Sequence, residues 1–230
     1  MDLMKLLLSH TRRAVDKYAM IPQNARVLCA VSGGKDSLAL MTVMKRLSEF
    51  HPAGFSVYAM TVDPGFGADL SPVVEYAREI SVPFEIMKTD IAAAVEKEAS
   101  PCALCARLRR GAILSYAREH GFSLVALGHT EDDLGETVLM NLLFAGKFEG
   151  FDPVTKYEDK GVTLIRPFIE TSGRTVSEFS SEYRLPTVKN PCPADTDSQR
   201  QTARGMLKEA DRVCRGSAHR AALAHLKTVR

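Results

Sequence analysis

Arg26-Val27-Leu28-Cys29-Ala30-Val31-Ser32-Gly33-Gly34-Lys35-Asp36-Ser37 is an apolar run that breaks on two glycines and continues through a lysine, an aspartate and a serine. Arg26 to Val31 reads as a buried strand, and Leu38, Met41, Met44 and Leu47 then recur at helical spacing. Strand, tight turn and helix in that order form a seat for phosphate. The glycines let the backbone approach a ligand closely, the free N–H groups of the helix start point at it, and the helix dipole favours its negative charge. Lys35 adds a cation, and Ser32 and Ser37 add hydroxyl donors. Asp36 is a poor choice against bare phosphate and makes sense if it helps to hold Mg²⁺.

The spacing is not the Gly-x-x-x-x-Gly-Lys-Ser/Thr of kinase-type loops. Ser32 to Ser37 instead resembles the PP-loop of the ATP pyrophosphatases, which cleave ATP between its α- and β-phosphates. Outward from the loop the chain alternates short β-rich runs with amphipathic runs. Strands are expected at 55–62, 84–88, 123–128 and 161–168, and helices at 3–18, 71–79, 103–120 and 132–144. The fold class is therefore α/β: a doubly wound, Rossmann-like parallel sheet of about five strands, with helical N- and C-terminal segments. The expected divisions are a helical segment 1–25, a nucleotide domain 26–190, and a loop with a basic helical tail at 191–230. Ligands of such sheets lie outside the carboxyl ends of the strands. That places Thr61 to Phe66, with Asp63, beside the adenosine and Gly128 and His129 at the site, although Asp63 reads equally well as a turn residue.

The chain has 230 residues, 45% of them hydrophobic, enough to bury a sizeable core. Its N-terminal apolar run, Leu6-Leu7-Leu8, is far too short for a membrane span or signal peptide, so no membrane association and a cytoplasmic location are expected. The net charge of +2 is unevenly spread: residues 200–230 carry eight Lys/Arg against Glu209 and Asp211. Basic ends suit a polyanion such as RNA, and they also suit plain solvated helices.

Five cysteines are present, an odd number in a chain of this size, which argues against a disulfide framework. Cys102 and Cys105 stand at i and i+3, with Arg109 at i+7, on one face of an expected helix. The helix start and the nearby Arg107, Arg109 and Arg110 favour thiolates, which leaves redox chemistry, zinc and a cluster all open. Cys192 follows Asn190-Pro191 and precedes Pro193, prolines that would fix the direction of its thiol. A structural zinc site wants four ligands, whereas a [4Fe–4S] cluster on three thiolates keeps one iron open. Cys29 reads as a core residue, and Cys214 has no readable role. Asp132, Asp133 and Glu136 follow His129, either as caps of a helix or as groups that hold Mg²⁺ and activate a substrate.

Ser32 to Ser37, Cys102-Ala103-Leu104-Cys105-Ala106-Arg107-Leu108-Arg109-Arg110-Gly111, Gly128-His129 with Asp132-Asp133, Asn141 to Lys147, Ile165-Arg166-Pro167 and Pro191-Cys192 occur in one order. Together they resemble the tRNA 2-thiocytidine biosynthesis family, over roughly Lys5 to Asp211. The resemblance implies an ATP-dependent iron–sulfur tRNA thiolase. Such an enzyme adenylates the C2 carbonyl oxygen of an anticodon-loop cytidine, releases pyrophosphate and lets sulfide displace AMP. Carried over, Cys102, Cys105 and Cys192 hold a [4Fe–4S] cluster, and Ser32 to Ser37 with Asp63 and Gly128 bind ATP and its Mg²⁺. Arg109, His129, Asp132 and Asp133 become catalytic or positioning candidates. The implied partners are tRNA and a sulfur donor, either a cysteine desulfurase or free sulfide, and a homodimer is plausible. Two departures stand out. Thr130 replaces the second residue of the family's paired histidines, and Cys192 is followed by Pro193-Ala194-Asp195, without the usual second cysteine. A paralogue acting on another base or a small molecule, or a nucleotide or redox sensor without turnover, are the alternative readings.

Overall fold

The computed structural model describes residues 2–96, 98, 101–189, 191–192 and 199–229. Asn190 and Pro193-Ala194-Asp195 lie outside the described residues. Strand β1 (Arg26–Ala30) buries Val27, Leu28 and Cys29 in succession, which only a strand covered on both faces can do. It pairs in parallel with β2 (Ser56–Asp63) on one side and β4 (Leu124–Ala126) on the other, Val27 lying opposite Val57 and Leu124. With β3 (Phe84–Lys88), β5 (Val154–Tyr157) and β6 (Val162–Ile165), the sheet order is β3-β2-β1-β4-β6-β5. This is the expected doubly wound sheet with six strands rather than about five. The additional strand, β5, runs antiparallel to β6 at an edge. Its four residues, three half-buried and Lys156 exposed, carry no continuous apolar run, so periodicity does not announce them.

Crossover helices cover both faces. Helix α1 (Leu3–Lys17), α2 (Lys35–Ser48), α3 (Ser71–Glu79), α6 (Glu131–Ala145) and α7 (Gly173–Glu182) share one core with the sheet. Helices α4 (Ile91–Val95) and α5 (Pro101–Glu119) build the other, in which Leu28, Met60, Val125 and Leu164 meet Ile91, Leu114 and Ala117. Helix α2 is apolar almost all round, as a central helix must be, and Leu38, Met41 and Met44 are fully buried. Each such side chain contributes roughly 1.5–3 kcal/mol relative to exposure.

Helices α8 (Gln199–Val213) and α9 (Ser217–Leu226) pack on α6. A Cβ on Gly135 would fall 2.6 Å from the Ala218 carbonyl oxygen, so the α6–α9 contact requires a glycine there. The tail is thus part of the folded body. Residues 1–26, with five Lys/Arg against Asp2 and Asp16, are also partly used within the protein: Lys17 and Tyr18 both contact Glu170, and Arg26 lies over the Tyr58 and Phe122 rings. Among the described residues, no helix is long and apolar enough to cross a membrane. The sheet's strand order reverses between β1 and β4, and the crevice at their carboxyl ends is where the chemistry-bearing residues meet.

Candidate active site

The phosphate loop holds its shape by bonds within itself. Gly33 sits at φ +82°, a conformation that needs glycine. The Ser32 N–H donates to Ser37 Oγ at 3.1 Å, and Ser37 Oγ donates to the Gly34 carbonyl at 2.9 Å. Gly34 caps α2 with no side-chain acceptor, so the first-turn N–H groups remain for a ligand. Lys35 Nζ lies 2.6 Å from Asp36 Oδ1.

Beside the loop is a cavity of about 250 Å³. Ser32, Asp36 and Ser37 line it from the loop, Arg109 from α5, and His129 and Asp133 from the β4–α6 turn. Met60, Val62, Ile113 and Leu127 supply an apolar wall. Gly128 also borders it, for a steric reason: a Cβ there would stand 2.9 Å from the Asp36 carbonyl oxygen. Lys35 faces a second, polar cavity of about 650 Å³ together with Arg204, Lys208 and His219. Asp36 and Asp133 border both cavities. Asp63 lies off the first cavity, in a neck of about 30 Å³ that it shares with Ser32 and Arg109. Its Oδ1 accepts the Gly65 N–H at 2.9 Å, so it also shapes the turn after β2.

The acids at the start of α6 divide their work. Asp133 Oδ2 accepts the Thr130 N–H at 2.8 Å while Thr130 Oγ1 faces the Asp133 N–H at 3.4 Å, a capping box. The other oxygen, Oδ1, stands 3.6 Å from Arg200. Asp132 Oδ2 accepts the Gly173 N–H at 2.5 Å, and so holds the start of α7 instead of lining the cavity with His129. Glu136 is buried, and Arg204 grips it with two bonds, at 2.5 and 3.0 Å. Sequence reasoning missed Arg200 and Arg204 in these roles. Both were counted in the basic tail, and only their i, i+4 spacing on one helix face hints at a shared target.

Burial pushes the His129 imidazole down to about 4, and the cationic Arg166 adds to the effect, so the ring is neutral at pH 7. Its Nδ1 is buried without a hydrogen-bond partner, and the ring packs at 4.9 Å on Phe151, which in turn lies under Arg166. Arg166 is itself buried and donates to the Asp152 carbonyl and Thr155 Oγ1. Burial raises the Asp36 carboxyl above its ordinary range; Lys35 opposes this, and the Asp133 charge adds to it. Two carboxylates that repel each other beside a phosphate seat are the oxygen donors that a Mg²⁺ ion takes.

Cys102 and Cys105 start α5, and the structure brings Cys192 to them from 87 residues further along the chain. Burial raises the Cys105 thiol; Arg109 opposes this, and both Cys192 and Cys102 reinforce it. Among the described residues, no three His, Cys, Asp or Glu side chains converge tightly enough to hold a single metal ion. Three soft thiols beside a guanidinium nevertheless have the donor chemistry that an iron–sulfur group takes. Cys29 is fully buried in β1, its thiol pushed up to about 12. Cys214 is exposed on the tail and accepts from Arg220.

Comparison with known proteins agrees with this geometry. Residues 7–210 match the model of a PP-loop domain family. The tRNA-cytidine(32) 2-sulfurtransferase of Dechloromonas aromatica is 35% identical over 218 residues, 91% of this chain and 75% of that protein. The protein of the same name from Methylococcus capsulatus is 33% identical, covering 90% of this chain and 74% of its own. Among solved structures, the U34-tRNA thiolase NcsA from Methanococcus maripaludis with its [4Fe–4S] cluster superposes with a TM-score of 0.83 at 21% identity. That match covers 98% of this chain and 79% of the thiolase, and at that identity it speaks for the fold. The NH3-dependent NAD synthetase of Campylobacter jejuni shares the fold more loosely, at a TM-score of 0.55 and 15% identity over 99% of this chain and 94% of its own. The phosphate loop, the β1–β4 crevice and the matched length all lead to one conclusion: the chain belongs to the PP-loop family and, within it, to the tRNA-cytidine(32) 2-sulfurtransferases.

Proposed function

We propose that this protein is an ATP-dependent tRNA sulfurtransferase that replaces the C2 oxygen of an anticodon-loop cytidine with sulfur. The observation that carries the reading is the position of Arg109. It lines the phosphate-loop cavity and acts electrostatically on Cys105, so one guanidinium joins the nucleotide site to the cysteine set. The relatives named for this activity support the substrate.

A cytosine C2 carbonyl is a weak electrophile whose oxygen leaves poorly. Its attack on the ATP α-phosphorus forms a C2–O–P bond and releases pyrophosphate. Hydrosulfide then adds at C2, the C2–O bond breaks, and AMP leaves with the original oxygen. The hydrosulfide proton passes to solvent, and no electrons are exchanged. In the first step the N–H groups of α2 and the Ser32 hydroxyl stabilise charge on the departing pyrophosphate, while Ser37 holds the loop in shape. Asp36 and Asp133 would hold Mg²⁺, whose charge offsets their repulsion. Neutral His129, on the wall of the phosphate-loop cavity, is available to hydrogen-bond the nucleotide or the reacting C2 oxygen without adding charge. Cys102, Cys105 and Cys192 would hold a [4Fe–4S] cluster, which supplies an iron free of protein thiolate for sulfide. Free sulfide and a cysteine desulfurase both satisfy this chemistry as sulfur sources.

The test is incubation of anaerobically reconstituted protein with tRNA, MgATP and sulfide, followed by nucleoside analysis and pyrophosphate measurement. The expected result is 2-thiocytidine and pyrophosphate in equal amounts, with iron and sulfide content of one cluster per chain. Changing Cys102, Cys105 or Cys192 to Ala should degrade the cluster and end sulfur transfer, with ATP binding kept; Cys29→Ala and Cys214→Ala should do neither. Pyrophosphate-free turnover, or full transfer by Cys192→Ala, would overturn the reading.

A further inference from the structure

Three cavities lie in series from the phosphate loop to Cys192. The first, about 250 Å³, holds the loop and its own apolar wall of Met60, Val62, Ile113 and Leu127. It shares Ser32, Val62 and Arg109 with the neck of about 30 Å³. The neck shares Phe66 with a third cavity of about 500 Å³, which Cys192 and Pro101 also line. Phe66 is thus the one aromatic side chain among the described residues that borders both the neck and the cavity at the cysteines. Among the described residues, Ala92, Ala93 and Val95 of α4 and its C-terminal neighbour Glu96 also line the third cavity.

The two steps of the proposed reaction constrain where the target base can lie. Its C2 oxygen must reach the α-phosphate, and C2 itself must then reach the sulfur. The base therefore belongs between the loop and the cysteines, with its carbonyl edge toward the neck. Cytosine has on the order of eight heavy atoms, which at a water's ~30 Å³ apiece fill less than half of the third cavity and leave its Cys192 side to the cluster. The neck admits an atom or two, and not a ring. A base taken out of an RNA loop loses its stacking, and enzymes of this kind restore it on a flat apolar side chain.

We infer that the 500 Å³ cavity is the pocket for the extruded pyrimidine base and that Phe66 is the platform on which the base stacks. Local structure presents the ring: Asp63 ties the turn through the Gly65 N–H, and Gly65 and Gly67 take φ of +88° and +81° on either side of Phe66. Phe66 is half-buried, its ring packed against the α4–α5 core on one side. The first cavity has a separate apolar wall, available to adenine, which Phe66 does not line. This inference rests on the proposed reaction and adds the seat of its substrate base.

The experiment measures binding of the reconstituted holoenzyme to two anticodon stem-loop RNAs, one with cytidine at the target position and one abasic there. Wild type should prefer the cytidine RNA by roughly 5- to 100-fold, the range of one base–aromatic stack. Phe66→Leu keeps an apolar side chain without a π-face and should erase the preference. Phe66→Tyr or Phe66→Trp should restore it, and the Kd for ATP should stay as in wild type throughout. A wild type that does not separate the two RNAs counts against the tRNA reaction itself. A preference that survives in Phe66→Leu, or an ATP Kd that weakens severalfold there, overturns the base pocket and makes Phe66 a core or adenine contact.

Discussion

The phosphate loop and the cysteine set are built by opposite means. Six consecutive residues make the first, and hydrogen bonds among Ser32, Gly34 and Ser37 fix its shape from within. The second draws Cys102 and Cys105 from one helix start and Cys192 from a distant segment. That segment is tied back to the loop, where the Val188 N–H donates to the Gly33 carbonyl at 2.9 Å. The nucleotide half is therefore preorganised on its own, and the cysteine half leans on it. Damage should travel from the loop to the cysteines and not in the reverse direction.

The largest effect should come from Lys35→Ala. Removing a preset cation from developing charge costs about 10²–10³ in turnover in comparable sites, so pyrophosphate release should fall by on the order of that factor. Tm should barely move, because Lys35 is half-exposed and its contact with Asp36 is a surface pair worth about 1 kcal/mol at most. Cluster content should match wild type. A cluster lost together with turnover would mean that Lys35 also shapes the loop on which the cysteine half leans.

Next in size is a pH effect confined to the nucleotide half. The folded His129 titrates at about 4 and an unfolded histidine near 6.5, so the unfolded state binds the extra proton between those values. Stability should rise with pH through that window and be lost as pH falls from about 6.5 toward 4, by an amount on the order of 3 kcal/mol. Urea melts of the apo protein at several pH values would show this. In His129→Gln the slope should flatten, and an unchanged slope would mean that the ring is not held neutral.

The smallest effects come from a pair of glycines, one in each half. Gly33→Ala forces a side chain to φ +82° with its Cβ 3.3 Å from Val188 Cβ. It should cost about 1–2 kcal/mol of stability and, through Val188, raise the rate at which Cys192 is alkylated in the apo protein. Gly111→Ala, in α5 with open space around it, should stabilise by about 0.5–1 kcal/mol and leave Cys192 alone. Equal Cys192 reactivity in wild type and Gly33→Ala would sever the proposed dependence of one half on the other.

Local signals carried most of the fold. The bounds read for 71–79 and 84–88 coincide with α3 and β3, because each has a clean period and a turn at its ends. The phosphate loop was legible for the same reason, being strand, turn and helix within twelve residues. What could not be read were contacts across the chain. Asp132 looks like Asp133 in the sequence, yet one holds the start of α7 and the other closes a capping box beside the cavity. Arg200 and Arg204 look like any basic tail residues, and their partners Asp133 and Glu136 lie more than sixty residues earlier. The tail's charge is therefore partly spent inside the protein. Lys208 and Lys227, without an acid partner among the described residues, are better candidates for RNA phosphate than the tail as a whole.

The Arg204–Glu136 grip also sets a timetable. Glu136 leaves the ribosome 68 residues ahead of the arginine that neutralises it. At ~5–20 residues per second the growing chain carries that carboxylate for on the order of 3–14 s before its partner exists. A carboxylate cannot be buried alone at modest cost, so α6 has a reason to stay loosely docked during synthesis. The β1–β4 crevice, whose rim α6 forms, would then close only once α8 has been made.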